Sequence, residues 1–305
     1  MTPLELAAQQ KEQEKATARS GFFFAFFAYF IWGFLPLYLK AVDHIPAIEV
    51  VAHRAFWSLP VAGILLIYLR RTKDILVTLK SPKKLGILFF SAAIISVNWG
   101  IYVWAIAVER TIEAALGYYI NPLMSVALGA LFLGERFTRA QLVALTLATM
   151  AVVLLSVQTG VFPWVGLSLA VTFAMYGFIR KTIDVGPTQG FLIEVLLLSL
   201  VALPFITWLQ LSGEGHLFTN TSNTLLLLGC GPITAIPLIL YAFGAKRLRL
   251  STLGLMQYIA PTLIFSMGLF VFGEPFDKWQ LAAFVLIWIA LAIFSSSAIK
   301  QQNAK

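Results

Sequence analysis

Residues 118–137 read YYINPLMSVALGALFLGERF, and residues 257–276 read QYIAPTLIFSMGLFVFGEPF. Extended to Leu116–Ser156 and Leu255–Ser295, the two stretches align without a gap and share 14 of 41 residues. The shared residues include Tyr119/Tyr258, Ile120/Ile259, Pro122/Pro261, Gly129/Gly268, Gly134/Gly273, Glu135/Glu274, Phe137/Phe276 and Gln141/Gln280. Two unrelated apolar helices would share leucines by chance, but not proline, glycine, Gly-Glu and glutamine in register. Earlier segments echo one another too. Trp32-Gly33-Phe34-Leu35 parallels Tyr176-Gly177-Phe178-Ile179, and Glu49-Val50 parallels Glu194-Val195. The chain reads as a duplication.

What is duplicated follows from composition. Of 305 residues, 59% are hydrophobic and only 12% charged, about half the charge that coats a soluble domain. Mean hydropathy is +0.85. Apolar runs cover Gly21–Leu39, Leu85–Val108, Ala114–Gly134, Ala140–Gly160, Val161–Ile179, Leu250–Gly273 and Trp279–Ile299, and less cleanly Ile48–Leu69, Gly190–Leu209 and Asn223–Ala245. Each approaches the roughly 20 residues of helix that span a bilayer core. The runs are continuous rather than alternating, which excludes a membrane β-barrel. The expected fold is therefore an all-α integral membrane protein with ten transmembrane helices. A polar tail (1–20) is expected before repeat 1 (21–160), and a short tail (300–305) after repeat 2 (161–299).

A net charge of +8 invites a nucleic-acid reading until the cations are placed. Of the 22 Lys and Arg residues, only Lys40, Arg54, Arg110 and Lys278 fall outside one set of loops and tails. Cationic loops stay cytoplasmic, so both termini are expected inside, the anionic inner leaflet is the expected partner of these loops, and no nucleic acid is implied. Five crossings per copy is an odd number, so the second copy begins on the opposite face. Inverted repeats of this kind belong to alternating-access transporters.

Chemical motifs exclude other classes. No G-x-x-x-x-G-K-[ST] phosphate loop, H-E-x-x-H zinc site or G-x-S-x-G nucleophile elbow is present, so no ATP site, metal or cofactor is expected and the chain is not read as an enzyme. Cys230 is the single cysteine and cannot form a disulfide within the chain.

Polar groups inside apolar helices usually face a bundle interior. Asn98 and Tyr102, four residues apart with Trp99 between them, share a helix region. Tyr119 and Asn121 precede Pro122, and Gln257 and Tyr258 precede Pro261. Each proline kinks its helix and frees the carbonyl four residues back, on Tyr118 and Gln257 respectively. Trp32 and Tyr176 occupy matching mid-helix positions and are candidates to line a cavity for a flat ligand. Substrate binding is thus expected from Trp32, Asn98, Trp99, Tyr102, Tyr119, Asn121, Tyr176, Gln257 and Tyr258. Plain helix-helix adhesion is the bland alternative. Glu49 and His53, four apart, are candidates for proton coupling; together with Arg54 they could instead snorkel to the outer surface. Glu194 reads as an ion-pair partner of Arg180 or Lys181, Glu113 as a cap for its own helix, and Glu135 and Glu274 as turn anchors.

The G-x-x-x-x-G-E endings at Gly129–Glu135 and Gly268–Glu274 resemble the EamA half-repeat of the drug/metabolite transporter superfamily. AYFIWGFLPLYLK (28–40), AHRAFWS (52–58), NWGIYVWA (98–105), EAALGYYINPL (113–123), FLGERF (132–137), YGFIRK (176–181) and RLRLSTLGLMQYIAPTL (247–263) resemble, more narrowly, its RarD group of chloramphenicol-sensitivity proteins. The loop LSGEGHLFTNTSNT (211–224) matches less well. The resemblance implies a ten-helix permease of the bacterial inner membrane with a cavity between its halves. The expected function is secondary-active transport, in the export direction, of small metabolites or drugs such as amino acids or amphenicol-like compounds. An ungated facilitator, or a membrane-embedded sensor or scaffold, is the alternative.

Overall fold

The computed structural model describes residues 3–69, 72–133, 138–160, 162–245, 247 and 256–303. Among these every regular element is a helix: α1 (Pro3–Ala41), α2 (Ala47–Tyr68), the short α3 (Lys73–Leu79), α4 (Pro82–Ala107), α5 (Thr111–Leu133), α6 (Arg139–Thr159), α7 (Trp164–Thr182), α8 (Pro187–Ser212), α9 (Thr221–Ala245), α10 (Ile259–Ser266, continued by one wide π turn over Met267–Val271) and α11 (Lys278–Asn303). Seven stretches are long and apolar enough to cross a membrane, in α1, α2, α4, α6, α8, α9 and α11; Trp164–Arg180 and Ile259–Val271 are shorter apolar helices. Large apolar side chains such as Ile64, Leu131, Val157, Leu211 and Phe270 point outward. An exposed shell of this kind suits hydrocarbon and not water. The chain is a multi-pass membrane protein. Helix α1 also continues backward through the polar segment expected to be a tail, as far as Pro3.

The helix starts explain part of the internal repetition. Thr138 accepts a hydrogen bond from the Gln141 amide, while the Gln141 side chain accepts one from the Thr138 amide. Asp277 and Gln280 do the same at the start of α11. The shared Gln141/Gln280 therefore closes a capping box in each copy. Gly273 has φ +65, a left-handed conformation open to glycine at little cost. Its counterpart Gly134, with Glu135, Arg136 and Phe137, lies outside the described residues. The two prolines differ. Pro122 sits inside the unbroken α5, whereas Pro261 occupies the first turn of α10, just after the chain turns at Gln257–Tyr258. A missing amide costs little in a first helical turn.

Packing joins distant parts of the chain. The closest helix pairs are α6 with α11, α5 with α7, α2 with α8, α1 with α9, α2 with α9 and α4 with α7, followed by α1 with α10 and α5 with α10. In hydrocarbon such pairs are held by close backbone approach rather than by water exclusion. At Gly117 a Cβ would stand 2.4 Å from the Gly166 carbonyl oxygen, so α5 and α7 touch backbone to backbone there. Gly117→Val should therefore lower the melting temperature of the purified chain and its folded yield, a loss of about 1–3 kcal/mol or more for an overpacked contact. Gly177→Val, where nothing lies within 4 Å, is the control. Equal melting of the two variants would remove the close crossing from the fold's determinants.

Candidate functional site

Three polar clusters lie inside this bundle, and they divide the residues singled out above differently from the sequence reading. The first is at the α1–α2 end. Pro46, extended at φ −51 and ψ 132, starts α2, and this places Glu49 in the first turn and the adjacent His53 and Arg54 in the second. All three are buried, with exposures of 1%, 0% and 4%, so none snorkels to the surface. The Glu49 carboxylate accepts from the His216 amide at 2.7 Å and lies 2.7 Å from its Nδ1. His53 Nε2 stands 3.9 Å away. Trp57 Nε1 donates to His53 Nδ1 at 3.0 Å, so a neutral His53 carries its proton on Nε2, toward Glu49. His216 belongs to the 211–224 loop, which matched the family least. That loop folds over the end of α2 and supplies both donors to its buried carboxylate.

The second cluster surrounds Arg54. Its Nε donates to Thr234 Oγ1 at 3.1 Å. Its guanidinium lies over the Trp99 ring, 4.9 Å from the centroid, within cation–π range. Tyr38, Tyr102, Tyr118 and Cys230 are its electrostatic neighbours. The Tyr102 and Tyr118 rings meet edge to face at 5.5 Å, and the Tyr38 hydroxyl donates to the Leu226 carbonyl and touches Cys230 Sγ. Two of the expected residues, Trp99 and Tyr102, meet here. Tyr119 does not. Its hydroxyl bonds Thr262 Oγ1 at 2.8 Å and its ring packs edge-on to Phe284 and Trp288. Successive helical residues point about 100° apart, and it is Tyr118 that faces Arg54. Asn98 donates to the Leu169 carbonyl and to Thr172 Oγ1, binding α4 to α7. Asn121 is buried with its Oδ1 unpartnered. Gln257 and Tyr258 are half-buried at the turn before α10.

The third cluster lies toward the opposite end. Glu194 is 1% exposed; it accepts from Ser91 Oγ at 2.7 Å and from the Tyr176 hydroxyl at 3.2 Å, and pairs with Arg180 at 3.6 Å. The ion pair expected with Arg180 is present, and the Tyr176 hydroxyl is engaged by it. Tyr176 neighbours Tyr241, whose ring stands 5.8 Å from that of Trp32. The matched pair Trp32 and Tyr176 thus meets through a third aromatic that sequence reasoning missed. An apolar groove of about 580 Å³, lined by Leu145, Thr149, Val153 and Leu286 among others, lies on α6 away from all three clusters and offers no charged group.

Two further carboxylates, Glu113 and Glu274, cap helices of other segments. Glu113 accepts from the Val165 amide at the start of α7 at 3.0 Å and pairs with Arg110, so it caps α7 where capping of its own helix was expected. Glu274 accepts from the Thr111 and Ile112 amides at 2.7 and 2.9 Å, anchoring the start of α5.

The model of the EamA-like transporter family matches residues 19–157. A protein RarD from Streptomyces exfoliatus is 42% identical over 283 residues, covering 92% of this chain and 90% of its own. An uncharacterized transporter, YojE, from Bacillus subtilis (strain 168) is 39% identical over 298 residues, covering 95% and 98%. A crystal structure at 21% identity superposes with a TM-score of 0.61 over 93% of this chain and 99% of that one, which bears on the fold alone. Identity of this extent, with the family match over the segment that holds Glu49 and Arg54, places the chain in the EamA-like transporter family, among the RarD proteins, as a membrane transporter.

Proposed function

We propose that the chain moves small organic molecules out across the bacterial inner membrane by alternating access between two inverted halves of five crossings each, 21–160 and 161–299, with both termini cytoplasmic. The observation that carries this reading is the packing pattern. Leave out the short α3 and exchange each crossing for the one five along, so that α1 trades with α7, α2 with α8, α4 with α9, α5 with α10 and α6 with α11. The pairs α2–α8, α5–α10 and α6–α11 map onto themselves; α1–α9 becomes α4–α7, α1–α10 becomes α5–α7, and α2–α9 becomes α4–α8, all of them packed pairs. Such a bundle has two near-equivalent closures, one for each face. The buried carboxylates Glu49 and Glu194, aligned in sequence, sit toward opposite ends of α8, which adds support.

Substrate is held, on this reading, between the Arg54 cluster and the aromatic group of Trp32, Tyr176 and Tyr241, with Asn121, Gln257 and Tyr258 along the path. Glu49 and His53 carry the coupling proton. The test has two parts. In a Cys230→Ser background, Ile48→Cys and Asp184→Cys should label from opposite compartments in intact cells; labelling from one compartment would end the inverted arrangement. In proteoliposomes, Tyr118→Ala, Asn121→Ala and Gln257→Ala should each abolish flux of a substrate found by screening amino acids and amphenicols, with folded yield unchanged. Normal flux in all three would discard this site.

A further inference from the structure

The Arg54 cluster has an unbalanced charge. Arginine is rarely buried without an anionic partner, because desolvation of a lone guanidinium costs several kcal/mol. Yet among the described residues no carboxylate lies within ion-pair distance of Arg54. Glu49, on the same helix, is engaged by His216 and faces His53. Glu194, toward the other end, is engaged by Arg180. The partial compensation comes from the Trp99 ring and Thr234. The guanidinium NH1 has no hydrogen-bond partner, and neither has the Tyr102 hydroxyl. These two unsatisfied groups, 4% and 3% exposed, belong to one cluster. Its members come from five helices: α1 (Tyr38), α2 (Arg54), α4 (Trp99 and Tyr102), α5 (Tyr118) and α9 (Thr234).

We propose that Arg54 and Tyr102 receive the carboxylate of a small planar organic acid, so that the transported molecule is recognised as a monoanion. The inference rests on the transport reading for the substrate's passage but not for its binding. A guanidinium presents donors that match a carboxylate edge, and Tyr102 adds a hydroxyl. A single uncompensated cation balances a single negative charge, which favours a carboxylate over a dianionic phosphate ester. The Trp99 ring covers the charge and Tyr118 stands edge to face with Tyr102, aromatic surroundings that suit a flat body attached to the acid. The ion pair forms where water is scarce, so its loss should be felt strongly.

The experiment uses the full chain in detergent and compares matched probes: benzoate with benzamide, indole-3-acetate with indole-3-acetamide, and phenyl phosphate as the dianion. The acids should raise the melting temperature in a saturable way, while the amides and phenyl phosphate should not. Arg54→Gln should abolish the acid-dependent shift, and Arg54→Lys, which keeps charge but not the fork, should weaken it about tenfold. Tyr102→Phe removes only the hydroxyl; it should weaken the acid about fivefold with the ligand-free melt unchanged, and it keeps the test open if the arginine variants fail to fold. Amides acting as well as acids, no acid acting at millimolar concentration, or an undiminished acid effect in Tyr102→Phe would each overturn the proposal. A stronger response to phenyl phosphate would replace carboxylate by phosphate and overturn the monoanion. Acid binding without flux in proteoliposomes would sink the transport reading and leave the anion site. Flux of a neutral substrate that Arg54→Gln leaves unchanged would do the reverse.

Discussion

Glu274→Ala is expected to destabilise the protein by about 2–6 kcal/mol, because two backbone amides, each worth about 1–3 kcal/mol when buried and left unpaired, lose their acceptor together. The carboxylate reaches across from the segment before α11 to the start of α5 and holds the Thr111 and Ile112 amides at 2.7 and 2.9 Å. It is 6% exposed, so water is poorly placed to replace it, and it places negative charge at the positive end of the helix. Glu274→Gln keeps one acceptor oxygen and should fall between wild type and alanine. Thermal melts of the full chain in detergent, ordered wild type, Gln, Ala, are the check. A melt of Glu274→Ala indistinguishable from wild type would mean that another group takes over both amides, and the contact would cease to count among those that join the two parts of the chain.

That carboxylate illustrates what the sequence makes legible. The Gly-Glu ending stood out because it occurs twice, and its reading as an anchor was available from its place after a glycine. Which helix it anchors was not, since the partner amides lie more than 160 positions away. The membrane class and the helical elements follow from composition and run length, and the duplicated pattern from residues shared in register, quantities that need no partner. The side-chain assignments depend on helix rotation, which a nearly all-apolar helix scarcely encodes. Tyr118 and Tyr119 are both tyrosines before the same proline, and only packing against α10 and α11 turns Tyr119 into their core and leaves Tyr118 beside Arg54. Arg54 itself reads as a surface cation near a helix start. The structure buries it because α4, α5 and α9 close around it, a tertiary fact without a local signal. Asn98 and Tyr176, expected to bind substrate, are both engaged by protein, Asn98 by α7 and Tyr176 by Glu194. The 211–224 loop matches the family least, yet its His216 holds the buried Glu49 carboxylate.

That contact gives the other large effect. On the proposed proton-coupled reading, Glu49→Gln is expected to lose essentially all substrate accumulation driven by an imposed proton gradient while keeping exchange of substrate across the membrane at the wild-type rate. As a carboxylate, Glu49 accepts at both oxygens, one from the His216 amide and the other facing His216 Nδ1. Protonation converts one of those acceptors into a donor and so weakens the strap that the 211–224 loop forms over α2. His53 stands behind the carboxylate with its Nε2 proton directed toward it at 3.9 Å, close enough to take part after a small side-chain movement. A group whose charge state alters the contact that closes one end of the bundle can tie proton movement to the change of access, because a ligand shifts a two-state equilibrium only through unequal affinity for the two states. Glutamine keeps one acceptor for the His216 amide and cannot take up or release a proton, so on that reading closure by substrate alone survives. His53→Gln should show a weaker form of the same split. Proteoliposomes loaded with substrate for exchange, and separately energised by a pH jump for accumulation, measure the two activities on one preparation. Uphill accumulation in Glu49→Gln equal to wild type would assign the coupling elsewhere, and loss of both activities together would make Glu49 a structural strap rather than a proton carrier.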